Sequence, residues 1–463
     1  MSSFDELPPR CFQGVIPAAI ATVSRDGTPN ITYLSQLFRL ENGRAALSCQ
    51  FFNKTKQNVF ENPYATVELW DPVSFDAYRL ELRYLHSETA GPLFDQMAMR
   101  IQAIASHTGM KGVFRLISAD VYEVLACEKR EGFLEPAGEL GPPEPLDDQL
   151  PRTELRGLQL VTQRTCRAQT LDDLLTTLLE SLKDAFGFRH SMVLMPDESG
   201  ERLFTVASRG YGDEGVGAEI AIGDGLLGTV ASRKQLLCIS SIEGELRYGR
   251  AVRASVQATR TRRELTPEIP LPGLPDAQSQ LAIPLVAGER LVGVLAVESR
   301  SALEFDEWHE AFLQIVGNQA AVAIENVLLR ERSEGDDAPE SHAVPIPEDD
   351  APPSRIPRRF RFFRNDDCVF VDDEYLIRNV PGRILWKLLR EHLETGRTEF
   401  SNRELRLDAA LGLPAIRDNL ESRLVLLRKR LEQKCPELRL FSTARGHFHF
   451  EARCPLRLEE AGG

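Results

Sequence analysis

Five consecutive residues near the N-terminus have the side chains and the position of a phosphate-binding turn. The run Asn53-Lys54-Thr55-Lys56-Gln57 follows a predicted strand over residues 45–52 and opens a short predicted helix that Pro63 would end. A strand, basic turn and helix in this order direct backbone N–H groups and lysine ammonium groups at one point, which suits a phosphate. The alternative is that the run is only a solvated basic turn.

A second basic segment lies near the C-terminus. The predicted helix over residues 414–432 carries Arg417, Arg423, Arg428 and Arg430. Residues 355–455 contain 21 Lys and Arg against 15 Asp and Glu, a local charge of about +6 in a chain whose net charge is −14. Guanidinium groups on one helix favour phosphate contacts, so this asymmetry indicates a basic effector module in an otherwise acidic protein.

Length and composition favour a soluble protein of about three domains. The chain has 463 residues, of which 42% are hydrophobic and 27% charged, and no apolar run reaches the roughly 18 residues that span a bilayer. The first residues lack the pattern of a secretory signal. None of the eight cysteines falls in a C-x-x-C pair, so we expect reduced thiols, no metal site and a cytoplasmic location. No nucleophile–base arrangement is visible, so no catalytic residue is assigned.

Two segments rich in Pro, Gly and acidic residues divide the chain. The predicted arrangement is an N-terminal domain over residues 1–134, a linker over 135–154, a central domain over 155–332, an acidic linker over 333–357 and a C-terminal domain over 358–455. The predicted fold class is therefore multidomain. A periodic apolar pattern predicts one helix from residue 155 to residue 186, and the arginine-rich stretch over 243–280 is expected to be a long loop.

The central domain resembles the GAF family, a small-molecule-sensing α/β fold of signalling proteins. The resemblance is carried by the hairpin over residues 281–297, the Phe305-Asp306-Glu307 turn and the helix that contains Ala323-Ile324-Glu325-Asn326. It extends to the glycine-rich turn Gly223-Asp224-Gly225-Leu226-Leu227-Gly228-Thr229-Val230. The residues that it implies for an unidentified small-molecule ligand are Gly225, Leu226, Gly228 and Thr229.

The N-terminal domain resembles the FMN-binding split β-barrels of the pyridoxamine 5′-phosphate oxidase family over roughly residues 17–124. The resemblance implies that Lys54, Thr55 and Lys56 hold the flavin phosphate with Asn53 and Gln57 beside them, and that Ser48 and Gln50 line the isoalloxazine. This chain reads Asn-Lys-Thr where the family usually has Ser-Arg-Lys, and it lacks the Arg-containing ending of the true oxidases. FMN binding is therefore expected rather than oxidase activity.

The C-terminal domain resembles the winged helix-turn-helix effector domains of OmpR-type response regulators. Its order is helix, capped helix, basic helix and hairpin, and the capping box Ser401-Asn402-Arg403-Glu404 starts the second helix. In that family the basic helix enters the major groove and the hairpin wing reaches the minor groove. The expected DNA-binding residues are Arg417, Arg423, Arg428, Arg430 and Arg445. We expect Arg423 to reach base edges, Arg445 to enter the minor groove, and Arg428 and Arg430 to meet phosphates or nearby acids.

Together these patterns predict a one-component cytosolic transcriptional regulator that couples small-molecule sensing to DNA binding. One alternative is an FMN-dependent oxidoreductase with a regulatory GAF domain, and another is a signalling scaffold that does not bind DNA. Ile315, Val322 and Leu329 recur every seven residues on the last central helix. Since a monomer would expose this apolar stripe, a homodimer is also predicted.

Overall fold

The computed structural model describes residues 4–50, 54–130, 150–197, 199–211, 218–258, 273–333, 356–364, 367–411, 413, 420–444 and 446–461. The chain divides into two compact units. One contains Met1–Arg156, Ile222–Pro284 and Ala296–Gln314, and the other contains Gly157–Ala221, Leu285–Leu295 and Ile315–Gly463. The division runs through the central region, so each unit combines part of that region with one terminal region.

The N-terminal region is a seven-stranded antiparallel sheet with two helices. In chain order its elements are β1 (Ala18–Val23), β2 (Pro29–Leu34), β3 (Leu37–Leu40), β4 (Arg44–Cys49), α1 (Lys54–Glu61), β5 (Tyr64–Trp70), β6 (Ala77–Glu88), α2 (Pro92–His107) and β7 (Ser118–Arg130). The strands lie in the order β2-β1-β5-β6-β7-β4-β3. Alternate residues of β5, namely Ala65, Val67 and Leu69, are buried, as expected of a strand with one face on a core. Helix α1 follows β4 in the chain, as the sequence predicts.

The central region is a six-stranded sheet with flanking helices. Its elements are α3 (Leu150–Thr165), α4 (Leu171–Phe186), β8 (His190–Pro196), β9 (Arg202–Arg209), β10 (Glu219–Ala221), α5 (Gly225–Arg233), β11 (Leu237–Ile239), α6 (Ile242–Ala258), β12 (Ser279–Ala287), β13 (Arg290–Ser299) and α7 (Glu307–Ser333). The strand order is β10-β9-β8-β13-β12-β11. The predicted hairpin of residues 281–297 is present as β12 and β13, and its turn contains Gly288 with φ of +62°.

Two expectations for this region need correction. The single helix predicted over residues 155–186 is two helices, because Thr170 caps α4: its Oγ1 accepts a hydrogen bond of 3.2 Å from the Asp173 backbone N–H. The stretch predicted as a loop over residues 243–280 instead contains α6, whose apolar and aromatic residues pack on the N-terminal region. Arg260, Arg262 and Arg263 lie outside the described residues.

Helix α7 has one buried face and one exposed stripe. Leu313, Val316, Ala320, Ala321, Ile324, Val327 and Leu328 are buried. Ile315, Val322 and Leu329 are 45%, 55% and 47% exposed. Among the described residues, Glu307–Arg330 is the one segment long and apolar enough to cross a membrane, and 44% of its most apolar window is buried in the protein. Since the core helix of a soluble protein meets the same criteria, this helix is weak evidence for a membrane span.

The C-terminal region contains two small sheets around a helical core. Its elements are β14 (Arg358–Phe363), β15 (Cys368–Val371), β16 (Glu374–Ile377), α8 (Asn379–Thr395), β17 (Glu399–Ser401), α9 (Asn402–Leu407), α10 (Leu420–Lys434), β18 (Leu438–Ala444), β19 (His447–Ala452) and β20 (Leu456–Ala461). The sheets have the orders β16-β15-β14-β20 and β17-β19-β18. The capping box is present, since Ser401 Oγ accepts from the Glu404 N–H and the Glu404 carboxylate accepts from the Ser401 N–H.

The predicted C-terminal boundary at residue 455 omits a strand. Strand β20 pairs in parallel with β14 from Arg358↔Leu456 to Phe363↔Ala461. Without β20, the backbone N–H and C=O groups along that side of β14 would lose their hydrogen-bond partners. The predicted helix over residues 414–432 is observed as α10, and residues 414–419 lie outside the described part of the chain.

Candidate functional site

The N-terminal sheet encloses a polar cavity of about 170 Å³ beside α1. Thr32, Ser35, Ser48, Gln50, Thr55 and Lys56 contribute polar atoms to its lining. Tyr33 from β2, Tyr122 from β7 and Tyr248 from α6 also line it. The cavity brings together Ser48, Gln50, Thr55 and Lys56 from the residues predicted to bind a flavin.

Lys56 lies at the base of this cavity, but its ammonium group is held by the protein. Lys56 Nζ forms an ion pair with Asp120 and donates to Ser87 Oγ at 2.5 Å and to Ser118 Oγ at 3.3 Å. The side chains of Lys56 and Asp120 are each 6% exposed. An ammonium group neutralised in this way does not fit a phosphate, because a phosphate would have to displace Asp120 and leave its carboxylate buried and unpaired.

The other residues of the predicted phosphate turn have different surroundings. Lys54 is exposed at the start of α1, and Thr55 Oγ1 accepts a hydrogen bond of 2.9 Å from Asn30 Nδ2. Gln57 points along the surface, where its Nε2 lies 3.5 Å from Glu61 Oε1. Asn53 lies outside the described residues. Of the two lysines, therefore, Lys54 is the one whose charge is accessible to a ligand.

A chain of polar groups crosses the cavity and ends on helix α6. The Ser35 and Ser48 hydroxyls lie 2.8 Å apart, and Gln50 Nε2 donates to Ser35 Oγ. The Gln50 Oε1 atom lies 3.5 Å from the Tyr248 hydroxyl, at the limit of a hydrogen bond. The sequence analysis missed Tyr248, because its position over the cavity depends on how α6 packs on α2 and β4.

Helix α6 is fixed on the N-terminal region by two partly buried polar contacts. The Arg100 guanidinium on α2 pairs with Glu245, with Nε to Oε1 at 2.9 Å, and donates to the Gln13 carbonyl at 2.6 Å. The Arg253 guanidinium bonds the Thr108 carbonyl at the end of α2. Gly249 lies against Thr108, where a Cβ would come within 2.9 Å of the threonine methyl group. These contacts place Tyr248 over the cavity.

The glycine-rich turn forms the start of α5 and is enclosed. Gly223 and Gly225 have φ of +88° and +62°, as the predicted tight turn requires. The four residues predicted to bind a ligand, Gly225, Leu226, Gly228 and Thr229, are all buried. The Gly225 carbonyl accepts hydrogen bonds from Thr229 Oγ1 at 2.6 Å and from Ser106 Oγ at 3.4 Å. The Gly225 carbonyl and the Thr229 and Ser106 hydroxyls thus already have protein partners. A ligand at this turn would therefore have to contact the neighbouring side chains.

Glu298 is a buried carboxylate that the sequence analysis did not single out. It lies on β13 and accepts hydrogen bonds from the Leu274 N–H at 2.8 Å and from Gln280 Nε2 at 2.5 Å. A Cβ on Gly273 would lie 2.1 Å from Glu298 Oε2, so a larger residue there would displace this carboxylate. An acidic residue that directly follows the apolar run over residues 291–297 is the signal that would have identified it.

The predicted DNA-contacting residues on α10 are partly enclosed by the protein. Arg423 is 3% exposed, and Arg430 Nε donates to the Leu376 carbonyl at 3.1 Å while its guanidinium lies over Tyr375. Arg428 Nε donates to the Leu440 carbonyl at 2.9 Å, and its Nη1 lies 3.1 Å from Asp172 Oδ2 on α4. Arg417 and Arg445 lie outside the described residues. The three described arginines share one helix, but none of them is presented on an open surface.

Acidic residues also lie at this part of α10. Burial raises the pKa of the Glu421 carboxyl, although Arg428 and a hydrogen bond from Asn402 Nδ2 at 3.2 Å oppose the shift. Burial also raises the pKa of Glu432, with Asp172 adding to the effect. Two carboxyl groups therefore lie on α10 among its basic residues.

A comparison with protein families identifies the central region. The family model described as GAF domain matches residues 168–325. Residues 168–325 form a GAF domain. GAF domains sense small molecules in signalling proteins, so this chain is a GAF-containing signal-sensing protein. No curated protein matches the chain.

Several solved structures are similar to parts of the chain. The GAF domain of a phosphoenolpyruvate-protein phosphotransferase from Acinetobacter is 21% identical with a TM-score of 0.30, and the match covers 39% of this chain and 97% of that one. The nlh2 GAF domain from A. aeolicus is 18% identical with a TM-score of 0.28, covering 38% and 98%. An FMN-binding protein from Syntrophomonas wolfei is 19% identical with a TM-score of 0.23, covering 26% and 83%.

The enclosed Lys56–Asp120 pair generates a stability prediction. Asp120→Ala should destabilise the N-terminal sheet by roughly 3–5 kcal/mol, because it leaves a buried ammonium group without its carboxylate. Hydrogen exchange of β6 and β7 amides, measured by mass spectrometry, reports the loss. Glu123→Ala is the matched control on the same strand, since its pair with Arg83 is 41% exposed on the Glu123 side and should contribute no more than about 1 kcal/mol.

The double variant Lys56→Met/Asp120→Leu should recover most of the lost stability, because no buried charge remains. Equal effects of Asp120→Ala and Glu123→Ala would show that Lys56 is not held as described and remains available to a phosphate.

Proposed function

We propose that this protein is a one-component transcriptional regulator, in which the GAF domain senses a small molecule and the C-terminal region binds DNA as a winged helix. The observation that carries the proposal is the order of the C-terminal elements. Helix α8, the capped helix α9, the basic helix α10 and the β18–β19 hairpin follow one another, and β17 pairs with β19. This is the order of a winged helix-turn-helix, in which the second helix of the motif reads the major groove.

The charge distribution supports the same assignment. The C-terminal region is basic in an acidic chain, and three of the predicted contact residues, Arg423, Arg428 and Arg430, share α10. A basic helix supplies salt-dependent affinity through phosphate contacts, while an arginine directed at a base edge supplies sequence choice. Arg423 is assigned to base edges and Arg430 to phosphates.

A second candidate function concerns the cavity of the N-terminal sheet, which we propose as a flavin site. Its hydroxyl and amide groups, from Ser35, Ser48 and Gln50, are able to hydrogen-bond the polar edge of an isoalloxazine ring. Lys54 is the accessible cation for the phosphate of FMN, and Lys56 is excluded by its pairing with Asp120. A flavin at this site would supply redox chemistry, which would make the chain an oxidoreductase or a redox sensor.

The stripe on α7 supports a homodimer. Ile315, Val322 and Leu329 are about half exposed, and beside them α3, α4 and α7 line a groove of about 550 Å³. A seven-residue apolar repeat on a long helix is the pattern of helix pairing in two copies of a chain. Dimerisation would also pair two DNA-binding regions, as half-site recognition requires.

Binding to DNA should be measurable by fluorescence anisotropy with a duplex from the chain's own promoter region and a scrambled duplex, at several salt concentrations. Arg423→Ala should lower the preference for the promoter duplex by about 1–3 kcal/mol. Arg430→Ala should weaken both duplexes alike and flatten the salt slope by about one unit. The measured quantity is the ratio of the dissociation constants for the two duplexes. A variant that lowers the fraction of DNA-binding protein raises both constants by the same factor and leaves this ratio unchanged.

Arg390→Ala is the control for that experiment, since Arg390 is exposed on α8 and pairs with Glu394. Absence of binding at low salt by the wild-type protein, with and without a small-molecule extract of cells, and by the Asp172→Lys variant introduced below would remove the regulator proposal. The scaffold alternative would then be preferred.

Flavin binding is tested by titrating FMN and riboflavin and following the quenching of their fluorescence. Lys54→Glu should weaken FMN binding about tenfold, since a charge-assisted contact to the phosphate becomes a repulsion. Riboflavin has no phosphate and should bind both proteins equally, and Lys54→Arg should retain FMN. An equal loss of both ligands would contradict the role of Lys54, and no binding of either by the wild type would exclude a flavin site.

Assembly is tested by light scattering after size-exclusion chromatography at micromolar concentration. Val322→Glu should convert a dimer into a monomer, because it places a carboxylate in the apolar stripe. Leu393→Glu is a matched control, since Leu393 is a single exposed apolar residue on α8 at 49% exposure. A wild-type protein with monomeric mass would contradict the dimer.

A further inference from the structure

We propose that helix α4 of the GAF domain covers α10 and competes with DNA for it, so that the protein holds itself in a closed form with low DNA affinity. This inference rests on the DNA-binding function proposed above. Helices α4 and α10 belong to the same compact unit, which contains the segments Gly157–Ala221 and Ile315–Gly463. We call this arrangement, with α4 packed on α10, the closed form.

Asp172 is the residue of α4 that forms ion pairs with α10. It lies in the first turn of α4 and faces two neighbouring cations of α10, with Oδ2 3.1 Å from Arg428 Nη1 and Oδ1 3.4 Å from Lys429 Nζ. All three side chains are largely buried. The N-terminal turn of a helix stabilises a carboxylate, so Asp172 is well placed to hold both cations.

A second contact joins the GAF sheet to the C-terminal region. The Arg378 guanidinium, which comes directly before α8, pairs with Glu219 on β10, with Nε to Oε1 at 2.9 Å. Phe204 on β9 packs against the C-terminal hydrophobic core. Arg423 and Leu426 of α10 line the small cavity of about 60 Å³ that remains between these residues. Helix α4 and strand β9 of the GAF domain thus both contact α10.

The closed contact and DNA binding exclude each other. Major-groove recognition requires an open helix face and cations free to meet phosphates. Here Arg423 is 3% exposed, and the Arg428 and Lys429 cations already share the Asp172 carboxylate. A phosphate can replace Asp172 only if α4 moves away from α10.

The contact between α4 and α10 also links the GAF domain to the proposed DNA-binding helix. Helix α4 packs on β8 and β9 of the GAF sheet as well as on α10. If only a fraction of molecules has α10 uncovered, the apparent dissociation constant for DNA is raised by the inverse of that fraction. An effector that shifts α4 on the GAF sheet would change this fraction without contacting DNA.

The full-length protein with Asp172→Lys tests the cover. The substitution replaces attraction by repulsion at two cations and should tighten binding to a promoter duplex roughly tenfold in an anisotropy titration. Asp173→Lys is the matched control, because Asp173 lies in the same turn of α4 but is exposed and away from α10. The control should bind DNA as the wild type does. Glu219→Gln, which weakens the second contact, should give a change in the same direction of about threefold.

Hydrogen exchange of the α10 amides provides a readout that does not depend on DNA. Asp172→Lys should speed exchange across Leu420–Lys434, and Asp173→Lys should not. Faster exchange together with tighter DNA binding supports the proposal. If Asp172→Lys and Glu219→Gln bind DNA with the wild-type affinity, then α4 does not compete with DNA for α10, and the DNA-binding function still stands. Faster exchange with no DNA binding in any variant overturns the DNA-binding function, and the masking role with it.

Discussion

The burial of α10 on more than one side is the constraint on which the C-terminal half of the structure depends. Leu420, Leu424, Leu427 and Leu431 form one apolar face in the hydrophobic core of the C-terminal region. Ser422, Arg423 and Val425 on other faces are also buried. A helix enclosed in this way must satisfy each of its cations within the protein, since an unpaired buried charge is costly. Asp172, the Leu376 carbonyl and the Leu440 carbonyl are the groups that satisfy Arg428, Lys429 and Arg430.

The same physical rule governs the N-terminal half. Lys56 and Asp120 are buried together, and Arg100 is paired with Glu245 where α6 packs on α2. In both cases a charged side chain is enclosed only because a partner of opposite sign and additional hydrogen-bond acceptors come with it. The consequence for function is that basic residues at a suggestive spacing are not automatically available to an anionic ligand. Lys54, which is exposed, remains available.

The GAF domain is shared between two packing environments. Its α5 and α6 helices pack on α2 of the N-terminal region, and its α4 and β9 pack on α10. Tyr248 reaches the cavity of the N-terminal sheet from α6, and Asp172 reaches the basic helix from α4. Each of these contacts has to be weakened before the residues it holds are free to bind another molecule.

The sequence alone determined most of the elements and their order, and it identified the family of the central region. Local signals were sufficient for this: the hairpin around Gly288, the capping box at Ser401 and the β18–β19 hairpin with Gly446 depend on residues close together in the chain. It missed the helix break at Thr170 and the strand β20, because a single N-cap and a parallel pairing with β14 carry weak local signals.

Tertiary structure decided which of the candidate residues are accessible. Arg423 and Lys56 have the residue type and the position that their predicted roles require, but both are buried, and Lys56 is paired with Asp120, 64 positions away in the chain. Asp172 contacts Arg428 across 256 positions. Pairing at such separations leaves no pattern in a local stretch of sequence, because it depends on how helices and sheets pack. The sequence therefore determined which groups are able to bind anions, and the packing of the fold determined which of them are free to do so.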